Sequence, residues 1–219
     1  MIHLQVAVSM FDEKDVPAPF LLGSIAPDAI HMRKHTTRED KKFTHLDIEA
    51  QGESLDYSRQ EYHRLLHLSD DESWRWFVRG YFAHLMTDYY WLHQVYRPFK
   101  ERAMEEGLDP DSIRKAYYTD TDQIDFDYYR TKPWKNRVWE QLIQTPSYNP
   151  EPYLSADEIH CWRLRIVHWF DLIATEPGVA PRYITEPIVD AFCKDTVQQI
   201  IRVLQTWDSK FPIGQETLK

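Results

Sequence analysis

Cysteine, glycine and positive charge are all in short supply in this chain, and each shortage excludes something. The two cysteines, Cys161 and Cys193, lie far apart with no metal-ligand spacing. They predict a reduced pair of small buried side chains rather than a disulfide or a thiolate metal site. The six glycines form no glycine-rich phosphate loop; a G-x-S-x-G elbow and a Cys–His dyad signal are equally absent. With Asp plus Glu at 35 against Lys plus Arg at 26, the formal charge is −9. Such a chain lacks the positive footprint that duplex nucleic acid requires. A phosphate ester stays open as substrate, because a bound divalent cation can reverse the local field. No apolar run approaches the ~20 residues of a membrane span. The opening MIHLQVAVSMFDEKDV has neither a basic start nor a long apolar stretch, so the expectation is a cytoplasmic protein with no transmembrane segment.

What is present is apolar and aromatic, at 42% and 14% of 219 residues. That suffices for one folded domain spanning 1–219. The periodicity is helical and no strand-length β-branched run occurs, so an all-α, single-domain helical bundle is expected. Short helices are predicted over 3–11 and 56–68, and at most a turn or short helix over 16–23, where Pro17 and Pro19 intervene. Residues 24–47 show no period and read as a polar, histidine-rich loop. The long helix is 69–93, opened by a Ser69–Glu72 capping box. It continues past His93 until Pro98 kinks it and Gly107 stops it. Residues 109–130 read as a helix followed by a loop, and 138–143 as a short helix. A second box, Ser155–Glu158, opens a helix to 174 with Ile159, Trp162, Ile166, Phe170 and Ile173 on one stripe. The last helix runs over 188–207.

The chemistry starts on the long helix. His84 and Asp88 are four residues apart and share a face, roughly 5–6 Å between Cβ atoms, so one cation can touch both. Asp28, behind Pro27, and His45 offer ligands of the same kind from the preceding segment. Taken singly, each has a plainer reading. Asp28 can cap a short helix at 29–32, His45 can be a loop histidine, and His84 can be a hydrogen-bonded core histidine. Asp88 resists that reading, because a carboxylate amid Trp, Phe and Tyr is costly to bury unpaired. His31 and His35 flank Asp28, either as ligands or as solvent-exposed residues. His63 and His67 read as a surface face, and Lys34, Arg38, Lys41 and Lys42 as a solvated charge run. Tyr89, Tyr90, Trp91 and Tyr96 read as core packing or the lining of a pocket.

Three stretches in order, FLLGSIAPDAIHMR (20–33), Thr44–His45–Leu46 and GYFAHLMTD (80–88), resemble the zinc-dependent phospholipase C family. Its all-helical fold is shared with zinc-dependent single-strand nucleases. The resemblance covers about the first hundred residues, and the remainder only as helices. It implies that Asp28, His45, His84 and Asp88 bind zinc and that Asp88 bridges to a neighbouring ion held with His3. It also implies that His93 matches a histidine of a third site. The family's later His-x-x-x-Glu motif has no counterpart, since His160 is followed four places on by Leu164. One or two ions are therefore implied rather than three. Another divalent metal could take the place of zinc.

The expectation is a metal-dependent hydrolase that cleaves a small phosphoester or phospholipid-like substrate with a zinc-activated water, with Asp28 as general base. Two alternatives stand beside it. One is hydrolysis of nucleotides or single-stranded nucleic acid. The other is a non-catalytic helical protein whose His and Asp residues satisfy one another in the core.

Overall fold

In the computed structural model, which describes residues 1–12 and 15–210, every regular element among those residues is a helix. Helix α1 (Ile2–Ser9) and α2 (Ala18–Gly23) come first. A 3-10 segment (Ala26–Met32) and α3 (Arg38–Thr44) follow, then α4 (Asp56–Leu66) and α5 (Glu72–Trp91). Beyond α5 lie a π turn (Leu92–Tyr96), α6 (Arg97–Glu105), α7 (Pro110–Thr131) and α8 (Lys135–Gln144). Helix α9 (Ala156–His168) runs into a second π turn (Trp169–Ile173), and α10 (Glu186–Trp207) closes the order.

Helix α5 is the centre of the bundle, burying Trp74, Phe77, Val78, Tyr81, Phe82 and Leu85 in one continuous apolar core. Its closest neighbour is α2. At their crossing Gly23 and Gly80 face the opposite backbone: a Cβ on Gly23 would lie 2.1 Å from the Phe77 carbonyl oxygen, and one on Gly80 2.1 Å from that of Phe20. No side chain fits there, so the two glycines set how closely the helices approach. The buried Arg79 of α5 pairs with Asp208 at 2.6 Å, and the Tyr62 hydroxyl of α4 donates to the same carboxylate.

Several expectations need correction. Residues 24–47 are mostly helical, not a loop. Pro27 starts the 3-10 turn, and Thr37 with Asp40 forms a capping box that opens α3. Asp71, not Ser69, caps α5. In the S-D-D-E run it stands directly before the helix, and its carboxylate accepts from the Ser73 N–H at 2.7 Å, while the Ser69 hydroxyl accepts from the Asp71 N–H. Pro98 sits in the first turn of α6, where no N–H is needed, and Gly107 stops that helix at φ +83. The expected loop before 130 is the continuation of α7. Its buried Asp120 accepts hydrogen bonds from the N–H groups of Arg182, Tyr183 and Ile184, so this polar face packs on a loop rather than on solvent. Both cysteines are free, but Cys161 is exposed and only Cys193 buried. The α9 stripe is buried at Ile159 and lies open at Ile173.

Replacing Gly80 with Ala should destabilise the fold by about 3 kcal/mol or more, the upper range of overpacking against backbone. A denaturant melt checks it, and an unchanged midpoint would refute the close crossing.

Candidate metal centre

The α2–α5 crossing places Ser24, the residue after α2, beside His84. The His84 Nδ1 donates to the Ser24 carbonyl oxygen at 2.9 Å. His45, at the end of α3, does the same one turn back: its Nδ1 donates to the Lys41 carbonyl oxygen at 2.9 Å. A carbonyl can only accept, so each ring carries a proton on Nδ1 and, in its neutral form, turns a bare Nε2 inward, the tautomer that metal-ligating histidines adopt. The Tyr81 hydroxyl of α5 donates to the Thr44 carbonyl oxygen at 2.5 Å and pins the end of α3 to the long helix.

The two Nε2 atoms face two carboxylates. His45 Nε2 lies 3.4 Å from Asp28 Oδ1 and 3.5 Å from Asp88 Oδ2. His84 Nε2 lies 3.5 Å from Asp88 Oδ2 and 3.8 Å from Asp28 Oδ2. These separations are long for hydrogen bonds. They are close to the ligand–ligand spacing, roughly 3.3–3.4 Å, that tetrahedral zinc with ~2.0–2.1 Å bonds would require. The buried atoms His45 Nε2, His84 Nε2 and Asp28 Oδ1 have no hydrogen-bond partner. Orphaned acceptors of this kind are costly unless something else satisfies them, and a cation would. The imidazoles are buried, at 7% and 1% side-chain exposure, whereas both carboxylates are 24% exposed. The cluster therefore opens on its acidic side.

His3 of α1 stacks on His84 with ring centroids 3.9 Å apart and donates from Nε2 to Asp88 Oδ1 at 2.9 Å. Two potential ligand sets result, Asp28–His45–His84 and His3–His84–Asp88, with His84 common to both. His93 joins neither. The π turn carries it away, against Tyr89 and with Nδ1 accepting from Arg97, into a separate cavity with Tyr90 and Trp207. Trp91 and Tyr96 line a third cavity. His31 stands 3.8 Å from Asp28 and is half exposed. His35 is exposed at φ +60, and the His67 ring bonds the His63 carbonyl on the surface. Thr87 is buried and bonds back to the Ala83 carbonyl.

Burial alone would push the Asp28 carboxyl up, but His45, His84 and Lys41 outweigh it and hold it well below the usual range. Asp88 follows the same logic, with burial overcome by His84 and His3. Burial opposes a charged His84, yet Asp88 and Asp28 raise its pKa; burial and the charge of His84 lower that of His3. Lys41, 3.5 Å from Asp28, is pushed up by Asp28 and Asp88 in spite of burial. Sequence reasoning left Lys41 in a solvated run; the Thr37–Asp40 box was the signal that α3 would point it inward.

A buried His/Asp cluster opened through its carboxylates thus sits on an all-helical frame. The chain belongs to the zinc dependent phospholipase C family, which it matches over residues 3–147. No curated protein and no solved structure matches it. Family and cluster together point to a metal-dependent hydrolase.

Acid should act in two stages. Imidazole binds metal only when neutral, so stabilisation by zinc, about 2.7 kcal/mol at 100 times Kd, should weaken as acid protonates the ligand side chains. Asp28 and Asp88 have depressed folded pKa values. Their contribution to the metal-free fold is therefore present above the unfolded value near ~4 and lost as pH falls further. Melting curves against pH, with and without zinc, test both stages; a zinc effect that does not weaken with acid would count against histidine ligation.

Proposed function

We propose that the protein is a zinc-dependent phosphoester hydrolase acting on a small phosphoester or phospholipid-like substrate in the cytoplasm. Asp28, His45, His84 and Asp88 would hold zinc, and His3 with Asp88 a neighbouring ion. The observation that carries this reading is the pair of bare, buried Nε2 atoms aimed at two carboxylates at 3.4–3.8 Å. A core network built only for stability would close those gaps with hydrogen bonds.

Zinc held there would supply a Lewis acid that acidifies water and polarises a phosphoryl oxygen. The chain's own residues do the rest. The Ser24 and Lys41 carbonyls fix the imidazole tautomers, the histidines close the floor of the site, and the exposed carboxylates face the side from which substrate arrives. Asp28 has two proposed roles, ligand and acceptor of the water's proton. A carboxylate held this low is a poor resting proton acceptor near neutral pH, so the ligand role comes first. No helix among the described residues is long and apolar enough to cross a bilayer.

The test is hydrolysis of p-nitrophenyl phosphate, bis(p-nitrophenyl) phosphate and short-chain phospholipids by the zinc-loaded protein. Turnover of at least one should be abolished by chelator and restored by zinc. Asp28→Glu, which keeps a carboxylate, should retain more metal and activity than Asp28→Asn. Chelator-resistant turnover, or none on any ester, would contradict the proposal.

A further inference from the structure

Helix α9 and its π turn lie beyond residue 147, outside the part of the chain that matches the family, yet they wall the cavity over the cluster. That cavity, about 610 Å³, is lined by Asp28 and His84 on one side and by Trp162, Arg165 and Trp169 on the other. The wall is fixed in place. Arg33, just past the Asp28 segment, pairs with Glu158 of the α9 capping box and donates to the Tyr153 carbonyl at 2.8 Å. The second π turn then delivers Trp169, and irregular helical turns of this type are frequent at functional sites.

Arg165 has no carboxylate partner among the described residues; its guanidinium sits over the Trp169 ring, 4.8 Å from the centroid. Lys41 lines the same cavity from α3. Of the carboxylates on the far wall, Asp125 is paired with the Met1 amine at 3.0 Å, and Asp122 is the other. The adjoining cavity, which reaches Asp88, repeats the pattern: Arg38, Lys100 and Arg114 line it with Lys41, against Glu49. Cations thus stand among carboxylates in both cavities: Lys41 and Arg165 with Asp28, Asp122 and Asp125 in the first, and Arg38, Lys41, Lys100 and Arg114 with Asp88 and Glu49 in the second. An aromatic wall would ordinarily suit a quaternary ammonium. Here Arg165 already covers the Trp169 face, and a cationic headgroup would meet a like charge.

Resting on the phosphoester reading above, we infer that Arg165, with Lys41 across the cavity, forms an anion subsite for the phosphoryl oxygens, and that the substrate is an anionic phosphoester without a cationic headgroup. Arginine suits this role because its planar fork matches phosphate oxygens in pairs. The organic group of the ester would lie along Trp162, which accommodates either a glycerol-type or a flat, base-type substituent.

Calorimetric titration of the zinc-loaded protein with methyl phosphate and with phosphocholine tests the inference without any turnover. The two ligands differ by the quaternary ammonium. Methyl phosphate should bind at least about tenfold more tightly, and Arg165→Ala should weaken it by about tenfold while the melting temperature holds. Arg165→Lys should recover part of the loss. Equal or tighter binding of phosphocholine, no effect of Arg165→Ala, or no binding of either ligand would overturn the subsite. Glycerol 3-phosphate and uridine 5′-monophosphate, run in parallel, identify the source of the phosphate, and Arg165→Ala should weaken both. If these results hold while no ester is hydrolysed, the hydrolase reading falls and the anion subsite stands.

Discussion

The contact between Gly23 and Gly80 is the constraint on which the site depends. Two helices meet there with backbone against backbone, each glycine occupying space that a single methyl group would overfill. The close approach brings the end of α2 down onto α5 one turn before His84. Ser24 is thereby placed to accept the His84 Nδ1 proton, and the 3-10 segment that follows sets Asp28 opposite His84 Nε2. Packing, tautomer and ligand geometry are consequences of the same two missing side chains. A looser crossing would leave the apolar core repairable, but the spacing of the polar atoms would be lost, because such centres tolerate only about 0.5 Å of error.

The electrostatics follow from that packing. Two carboxylates and two to three imidazoles are held together where water is largely excluded, and such a group is stable only if charges compensate or a cation supplies the balance. His84 and Lys41 are pushed toward their charged forms, and Asp28 and Asp88 toward theirs. The unmet hydrogen-bond capacity of His45, His84 and Asp28 remains after this compensation. That unmet demand is what distinguishes a candidate metal centre from a core ion-pair network.

How much of this was legible in the sequence differs from residue to residue. His84 and Asp88 were readable from spacing alone, because a long amphipathic helix fixes which side chains share a face. Asp28 and His45 came from ordered motifs; no period announced them, since a 3-10 turn followed by a short helix with a charged outer face gives no 3.6-residue apolar repeat. The Thr37–Asp40 box was overlooked because Asp stands where Glu or Gln is usual. His93 came only from the resemblance, and the π turn at 92–96 carries it away from the cluster. The α9 stripe was read correctly as apolar, and its Trp162 and Ile166 both pack on the core and line a cavity. Arg165 drew no attention, since a lone arginine on a helix is ordinarily solvated.

The central claim is that Asp28, His45, His84 and Asp88 form one metal centre. Elemental analysis of the freshly purified protein, never exposed to chelator, tests it most directly. About one to two equivalents of zinc or a similar divalent metal are predicted, with the metal lost on Asp88→Ala while the helical content is kept. Metal-free wild-type protein, or an Asp88→Ala variant that retains its full complement, would contradict the account.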